Sequence, residues 1–360
     1  MKWEKHVPGK HPVILVGAGF PVAMANSRKG PPSTADILMK TATTHPSRFP
    51  AIKAVLDGPL KGSDSPLNLV WSNVIEFARA LLPNYRTIRR KYKSRAVGAA
   101  FTELVASRLR NRGPFEFLWL VLGIELKRAV ALHYVSGSIE INPAKLVAFK
   151  PFFDELRSRQ VAWVSLNYDL ALEKFLEDAG ISWKYCFEEW LGAERVVSSP
   201  HHVIVKPHGS LNVVFETEWT SMPRHSICFE DSANLFATID ESEVGFGADE
   251  VEKRPWLVGY LSDEQKDEIN SPGWFADPAH DLCKGNLAYT SCCLLRATAL
   301  YVVAYSMPRE DEWIWRRLEA LRTRDLPIYV ATANDTDRVI KRFKGLGFTS
   351  AGRLTPDGRI

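Results

Sequence analysis

The segment Lys206-Pro-His208-Gly209 contains the histidine with the most distinctive surroundings in the sequence. The apolar run 203–205 precedes it and predicts a buried strand that ends at this turn. An imidazole changes its protonation near neutral pH, so it can act as a general base. His208 is therefore a candidate catalytic residue, although a structural histidine at a turn fits the pattern equally well.

A second polar segment, Asn167-Tyr168-Asp169, follows the strand predicted at 161–166. An asparagine amide can hold a sugar hydroxyl or a water molecule, and an aspartate can accept a hydrogen bond or orient a partner. Both residue types also begin helices, where the side-chain oxygen caps backbone N–H groups. The segment is therefore either part of a ligand site or the cap of the helix predicted at 170–179.

The first predicted strand, 13–16, runs into Gly17-Ala18-Gly19. A strand that feeds a glycine turn and then a helix offers backbone N–H groups to a phosphate, and the helix dipole adds to the attraction. The dinucleotide fingerprint GxGxxG is incomplete, because Val22 stands where the third glycine is needed. A phosphate site and a tight turn without a ligand both remain open.

Two more turns follow predicted strands: Ala304-Tyr305-Ser306 after 300–304, and Ala333-Asn334 after 328–333. Each of them alone is typical of ordinary turn and cap structure. If the strands are parallel, however, all five polar turns gather at the carboxyl edge of one sheet, which is where open α/β sheets bind ligands. This convergence is a stronger indication of a site than any single motif.

The elements that position these turns are buried strands alternating with short helices. This pattern predicts an α/β fold with a doubly wound, mostly parallel Rossmann-like sheet. Helical patterns dominate residues 34–157, so the chain is predicted to be a single domain, 1–360, with a helical insertion at 34–157 after the first strand. Irregular structure is predicted at 44–68 and 216–286, where Pro, Gly and polar residues are frequent.

The charge composition is mildly basic, which is compatible with an anionic ligand but does not by itself indicate nucleic-acid binding. The chain is 46% hydrophobic and 24% charged, with a net charge of only +4. One basic run, RTIRRKYKSR at 86–95, could contact nucleic acid or an acidic partner. A solvated helix face or a linker is the better interpretation of this run.

The cysteines and the apolar runs indicate the compartment. The five cysteines include no CxxC pair, which argues against a paired-cysteine zinc site, and their odd number argues against a disulfide framework. No apolar run is long enough to span a bilayer. A soluble protein of the reducing cytoplasm is therefore expected.

Together, the five turns resemble the motifs of the sirtuin-like family, in particular its bacterial, zinc-less NAD-hydrolase branch. That family has a GAG turn, an NYD motif, an HG motif after a lysine, a GYS-type motif and a late asparagine. This chain has them in the same order and across most of its length, as Gly17-Ala18-Gly19, Asn167-Tyr168-Asp169, Lys206-Pro-His208-Gly209-Ser210, Tyr305-Ser306 and Asn334.

The resemblance implies a sirtuin-like fold, NAD as the substrate, and cleavage of the nicotinamide–ribose bond to give nicotinamide and ADP-ribose. It implies that Asn167 and His208 are the catalytic pair and that Asp169 shapes the nicotinamide side. It also implies a set of NAD-binding residues, namely Gly17, Ala18, Gly19, Phe20, Tyr168, Ser306 and Asn334. The zinc module of sirtuin deacylases is missing, so no metal is expected.

The chain departs from the family at Phe20-Pro21 after the GAG turn, at Leu166, where deacylases carry glutamine, and at Ala304, where the family has glycine. The missing glutamine and the missing zinc module weaken deacylation more than NAD binding, so an NAD glycohydrolase is the expected enzyme. A non-catalytic sensor of NAD or ADP-ribose is one alternative, and an NAD-dependent deacylase or ADP-ribosyltransferase is another.

The family resemblance further implies a role in antiphage defence. It implies a homo-oligomer, with a partner protein such as a HerA-like ATPase or an Argonaute-like protein. It leaves direct contact with nucleic acid open, and no membrane association is expected.

Overall fold

The computed structural model describes residues 11–24, 43–61, 70, 74–93, 113–135, 141–187, 202–218, 224–229, 251–257, 278–307, 311–322, 326–332 and 335–354. The chain divides into two compact units. The first unit comprises Met1–Pro31, Ile139–Ser210 and Gln265–Ile360, and the second comprises Pro32–Ser138 and Leu211–Glu264.

The described strands are β1 (His11–Val16), β2 (Val161–Ser165), β3 (Trp183–Tyr185), β4 (His202–Val205), β5 (Gly209–Glu218), β6 (Arg224–Phe229), β7 (Val251–Leu257), β8 (Ala297–Val303), β9 (Ile328–Ala331) and β10 (Ala351–Arg353). The described α-helices are α1 (Gly19–Met24), α2 (Pro50–Asp57), α3 (Val74–Ala80), α4 (Tyr85–Lys93), α5 (Pro114–Val135), α6 (Pro143–Leu156), α7 (Ala171–Asp178), α8 (Pro278–Arg296), α9 (Glu312–Glu319) and α10 (Thr336–Gly345).

A seven-stranded sheet forms the centre of the first unit, in the order β10-β9-β8-β1-β2-β4-β3. All its neighbouring strands pair in parallel. Every residue of β1, β2 and β4 is buried, because strands of a parallel sheet are covered on both faces. The predicted α/β fold with a parallel, Rossmann-like sheet is therefore confirmed, while its sirtuin-like identity stays a prediction.

The strand register brings the carboxyl ends of the central strands to one level. Val16, the last residue of β1, pairs with Ser165 at the end of β2 and with Val303 at the end of β8. Val303 in turn pairs with Ala331, the last residue of β9. The strand order reverses at β1, whose neighbours are β2 and β8, and ligands of open α/β sheets bind at such a switch point.

Helices of the first unit pack on this sheet and on one another. Helix α8 packs against β1 and β4, and α10 packs against β9 and β10. Helix α1 contacts α7, where Phe20 meets Phe175 edge-to-face with ring centroids 5.4 Å apart. The turn between β1 and α1 is thus anchored on both sides, by the sheet and by an aromatic contact.

Two of the predicted irregular stretches contain regular structure, so those predictions were wrong in part. Helix α2 begins at Pro50, a residue suited to the first turn of a helix, inside the stretch 44–68. The buried carboxylate of Glu125 on α5 accepts the N–H groups of Ala51 and Ile52 at 3.1 and 2.8 Å. This cap comes from 73 to 74 residues away in the sequence, so no local pattern could reveal it.

The stretch 216–286 also contains strands, and the beginning of α8. Strands β5, β6 and β7 form a three-stranded sheet in the order β6-β5-β7, with β5 and β6 antiparallel. The second unit combines this sheet with α2, α3, α4 and α5. Helix α6, inside the predicted insertion 34–157, belongs to the first unit, and the insertion itself stays a prediction.

Residues 86–93 of the basic run lie in helix α4, with Ile88 and Tyr92 buried and Arg86, Arg90 and Lys93 exposed. This arrangement is the solvated helix face that was the preferred interpretation of the run. In the part of the chain that the structure describes, no helix combines the length and the apolar character needed to cross a bilayer.

Candidate functional site

Gly17 lies where β1 and the segment after β8 approach each other closely. The Gly17 N–H donates to the carbonyl of Val303, the last residue of β8, and the Gly19 N–H donates to the carbonyl of Ala304, both at 3.1 Å. A Cβ atom at position 17 would lie 2.5 Å from the Tyr305 Cα, so a larger residue would displace the backbone. Close packing alone therefore explains Gly17. Ala18 and Gly19 are the exposed part of the turn.

Asn167 follows β2 and is only 6% exposed. Its Nδ2 donates to the carbonyl oxygen of Gly17 at 2.9 Å. Its Oδ1 is buried and has no donor among the described residues. A buried acceptor without a partner costs about 1–3 kcal/mol, and a ligand group that donates to Oδ1 removes this cost. The side chain is thus positioned to accept a hydrogen bond from a bound ligand.

Asp169 fits the helix-start interpretation of its motif. Its Oδ1 accepts the N–H of Ala171, the first residue of α7, at 3.0 Å, as in an Asx turn. Burial raises the pKa of this carboxyl group to about 6, although the nearby Lys206 ammonium acts in the opposite direction. Its carboxylate holds the turn that presents Asn167.

Lys206 follows the neighbouring strand β4 directly, is fully buried, and holds the same turn. Its Nζ donates to the backbone carbonyls of Asn167 at 3.2 Å and Asp169 at 2.5 Å. It forms an ion pair with Glu173 Oε1 at 2.8 Å, and that oxygen also accepts the Tyr185 hydroxyl at 2.7 Å. Sequence reasoning quoted Lys206 only as part of a motif and missed Glu173. A lysine directly after a buried strand was the available signal.

His208 occupies a tight turn closed by a hydrogen bond from the Gly209 N–H to the Lys206 carbonyl at 3.0 Å. Gly209 has a φ of +91°, a conformation that favours glycine. The imidazole of His208 is 3% exposed, and its Nε2 lies 3.2 Å from Asp311 Oδ1. The Tyr305 hydroxyl donates to Asp311 Oδ2 at 2.7 Å. Sequence reasoning missed Asp311, which is 103 residues from His208.

The other predicted site residues have different environments. Phe20 is buried against an aromatic ring of α7, and Tyr168 is buried with its ring centroid 6.1 Å from that of the His208 imidazole. Ser306 is exposed just after β8. Asn334 lies outside the described residues.

A connected set of contacts links the two candidate catalytic residues. Asn167 bonds to Gly17, Gly17 packs against Tyr305, and Tyr305 shares the Asp311 carboxylate with His208. Four of the predicted turns, those after β1, β2, β4 and β8, are therefore brought to one edge of the sheet. Acceptor and base groups of this kind can orient and deprotonate a hydroxyl or a water molecule.

The sequence matches no protein-family model, and no curated protein matches it. The resemblance to the sirtuin-like family therefore stays a prediction. Within the described ranges, no three His, Cys, Asp or Glu side chains are grouped so that they could hold a metal ion.

Proposed function

We propose that the carboxyl edge of the parallel sheet binds NAD and hydrolyses its nicotinamide–ribose bond. The observation that carries the proposal is the buried Oδ1 of Asn167, which has no donor in the part of the chain that the structure describes. It lies on the same edge of the sheet as the buried imidazole of His208. A ribose hydroxyl or a water molecule supplies the missing donor. The order of the five motifs, shared with the sirtuin-like family, supports NAD as the substrate.

In the proposed reaction, Asn167 Oδ1 accepts a hydrogen bond and so orients the attacking water or a ribose hydroxyl. His208 accepts the proton that the water loses. The water oxygen bonds to C1′ of the ribose as the C1′–nitrogen bond breaks, and the electron pair of that bond neutralises the nicotinamide ring. The products are nicotinamide, ADP-ribose and the proton on His208.

The remote half of the substrate is proposed to bind at the switch point between β1 and β8. The exposed residues there are Ala18, Gly19 and Ser306. Because the N–H groups of Gly17 and Gly19 already donate to protein carbonyls, the Ser306 hydroxyl is the more suitable donor to a phosphate oxygen. Binding energy from this half can hold the ribose at the catalytic pair.

The test is nicotinamide release from NAD by the purified full-length chain, followed by chromatography. Asn167→Ala and His208→Ala are each expected to lower the rate by about 100-fold or more, the usual contribution of a positioned acid–base group. His45→Ala in the second unit and Asn142→Ala at the start of α6 are matched controls with expected wild-type rates. Circular dichroism checks that each variant is folded.

Full NAD cleavage by His208→Ala would contradict the assignment of the base. NAD binding measured by calorimetry, without nicotinamide release, would instead favour the sensor alternative. The role in antiphage defence, the oligomer and the partner proteins stay predictions from the resemblance.

A further inference from the structure

We propose that Asp311 is a positioning residue that holds His208 in the tautomer protonated at Nε2, with Tyr305 fixing the aspartate. The inference deepens the proposed function, because it concerns the base of the proposed hydrolysis. Asp311 lies directly before α9 and comes from a different part of the chain than either candidate catalytic residue.

The two oxygens of the Asp311 carboxylate serve two different partners. Oδ1 lies 3.2 Å from His208 Nε2, and Oδ2 accepts the Tyr305 hydroxyl at 2.7 Å. An ionised carboxylate can only accept hydrogen bonds, so the bond to His208 requires a proton on Nε2. In the neutral ring, the basic lone pair is then on Nδ1. The contact thus determines which ring nitrogen takes up the proton of the reaction.

The direction of the Asp311 side chain supports a role beyond helix stability. Asp311 is the N-cap residue of α9, but its side chain makes no capping hydrogen bond. An aspartate at this position usually stabilises a helix by capping its first N–H groups, and this local gain is forgone. The carboxylate is instead buried at 1% exposure and bonded to a histidine 103 residues away.

Aromatic rings close to His208 limit the movement of its imidazole. The ring centroid of Tyr168 lies 6.1 Å away, and that of Trp313 lies 6.2 Å away in an edge-to-face arrangement. Trp313 belongs to the first turn of α9, beside Asp311. The beginning of this helix therefore supplies both a wall for the imidazole and its hydrogen-bond partner.

The tautomer can be measured without any reaction. Two-bond ¹H–¹⁵N spectra of the full-length chain with ¹⁵N-labelled histidine report which nitrogen of each ring carries the proton. His208→Gln identifies the His208 signals by their loss. The wild type is expected to show the Nε2-protonated tautomer at neutral pH. In Asp311→Asn, the amide can donate to Nε2, so the signals are expected to shift to the Nδ1-protonated form.

Asp178→Asn is the matched control, since it removes an aspartate charge from an exposed site on α7 in the same unit. Its His208 signals are expected to equal those of the wild type. An Nε2-protonated ring in a folded Asp311→Asn protein would overturn the proposal. So would wild-type signals of an Nδ1-protonated ring.

Kinetics then show whether the tautomer matters for catalysis. Asp311→Asn is expected to lower kcat for nicotinamide release by about 100-fold or more, with a much smaller change in KM, because the wrong tautomer removes the base but not the binding groups. Tyr305→Phe retains the carboxylate, so it is expected to keep the Nε2 tautomer and lose only about tenfold or less in kcat.

Two outcomes separate the failure of this inference from the failure of the proposed function. A wild type that never releases nicotinamide contradicts the proposed function, while the spectra still decide the role of Asp311. Full kcat in Asp311→Asn with the tautomer reversed overturns the positioning role alone. If Asp311→Asn does not fold, the wild-type spectra decide, because an Nδ1-protonated His208 ring in the wild type would overturn the proposal.

Discussion

At the scale of single residues, Asp169 is a carboxyl group whose ionisation the fold opposes. Burial raises its pKa to about 6, well above the ordinary value of 3.8. The hydrogen bond from the Ala171 N–H and the charge of Lys206 favour the ionised form but do not offset the loss of hydration. The folded protein therefore keeps a proton on Asp169 over a pH range in which the unfolded chain has lost it.

The stability of the wild type is expected to carry a corresponding pH dependence. Because the folded-state pKa is raised, the contribution of Asp169 to the unfolding free energy is largest below pH 4 and is lost as the pH rises towards 6. The loss between pH 4 and pH 7 is about 2 kcal/mol. Asp169→Asn keeps an acceptor oxygen for the Ala171 N–H but cannot titrate, so its unfolding free energy lacks this pH dependence.

Urea unfolding of both proteins at pH 4 and pH 7 measures the effect. The variant should gain about 2 kcal/mol relative to the wild type between the two pH values. Asp57→Asn, at an exposed position of α2, is the matched control. If the unfolding free energies of variant and wild type differ by the same amount at pH 4 and pH 7, Asp169 stays ionised in the folded state over this range.

At the scale of elements, two non-glycine residues in the segment after β8 have the left-handed backbone conformation that favours glycine. Ala304 has a φ of +51° and Met307 a φ of +56°. The left-handed conformation costs a residue with a Cβ atom about 1–2 kcal/mol. Hydrogen bonds hold the segment in place: the Ala304 N–H donates to Ala331, and Arg342 donates to the Met307 carbonyl. The same segment carries Tyr305 and Ser306, so its conformation positions both.

Ala304→Gly is therefore expected to stabilise the protein by about 0.5–1 kcal/mol, because glycine adopts a positive φ without strain. Thermal or urea unfolding measures the change. Ala299→Gly in β8 is the matched control, since glycine inside a strand should destabilise by a similar amount. If both substitutions lower the stability equally, the conformation at Ala304 is not strained.

The contact between Lys206 and Glu173 joins two elements rather than adding much net stability. Both side chains are buried, and the desolvation of a buried ion pair largely offsets its attraction. What the pair provides is position, since the lysine also binds the two carbonyls of the turn after β2. Removing one partner alone would leave a buried charge, which costs about 3–5 kcal/mol.

The sequence was sufficient to predict where the central strands of the parallel sheet end, but not which side chains meet at those ends. Apolar runs such as 13–16 and 161–165 are buried on both faces, so their polar turns mark the carboxyl edge of the sheet. The contacts of Lys206 and Asp311 depend on partners brought close only by folding. Asp311 in particular looks like an ordinary helix cap in the sequence, because its real partner is set by the tertiary structure.

At the scale of the whole molecule, the candidate site draws on all three chain segments of the first unit. Gly17 comes from the first segment, Asn167 and His208 from the second, and Ser306 and Asp311 from the third. A ligand that contacts all three can bind only when they are folded together. Binding at this edge should therefore stabilise the whole first unit against unfolding, in proportion to the free ligand concentration.

NAD is expected to raise the melting temperature of His208→Ala, which lacks the proposed base and should bind NAD without consuming it. At a concentration 100 times the dissociation constant, the gain is about 2.7 kcal/mol, or roughly 5–10 °C for a unit of this size. Thermal unfolding with increasing NAD measures the shift, and the dependence on concentration distinguishes specific binding from a solvent effect.

A negative charge introduced at Ser306 tests whether NAD binds at the proposed position. Ser306→Glu places a negative charge where the phosphates are proposed to lie, and because Ser306 is exposed, the fold itself should tolerate the change. Added to the His208→Ala protein, it is expected to abolish the NAD-induced shift. Val147→Glu adds the same charge at a 71% exposed position of α6 and should leave the shift intact. Equal shifts in both proteins would show that NAD binds away from the junction of β1 and β8.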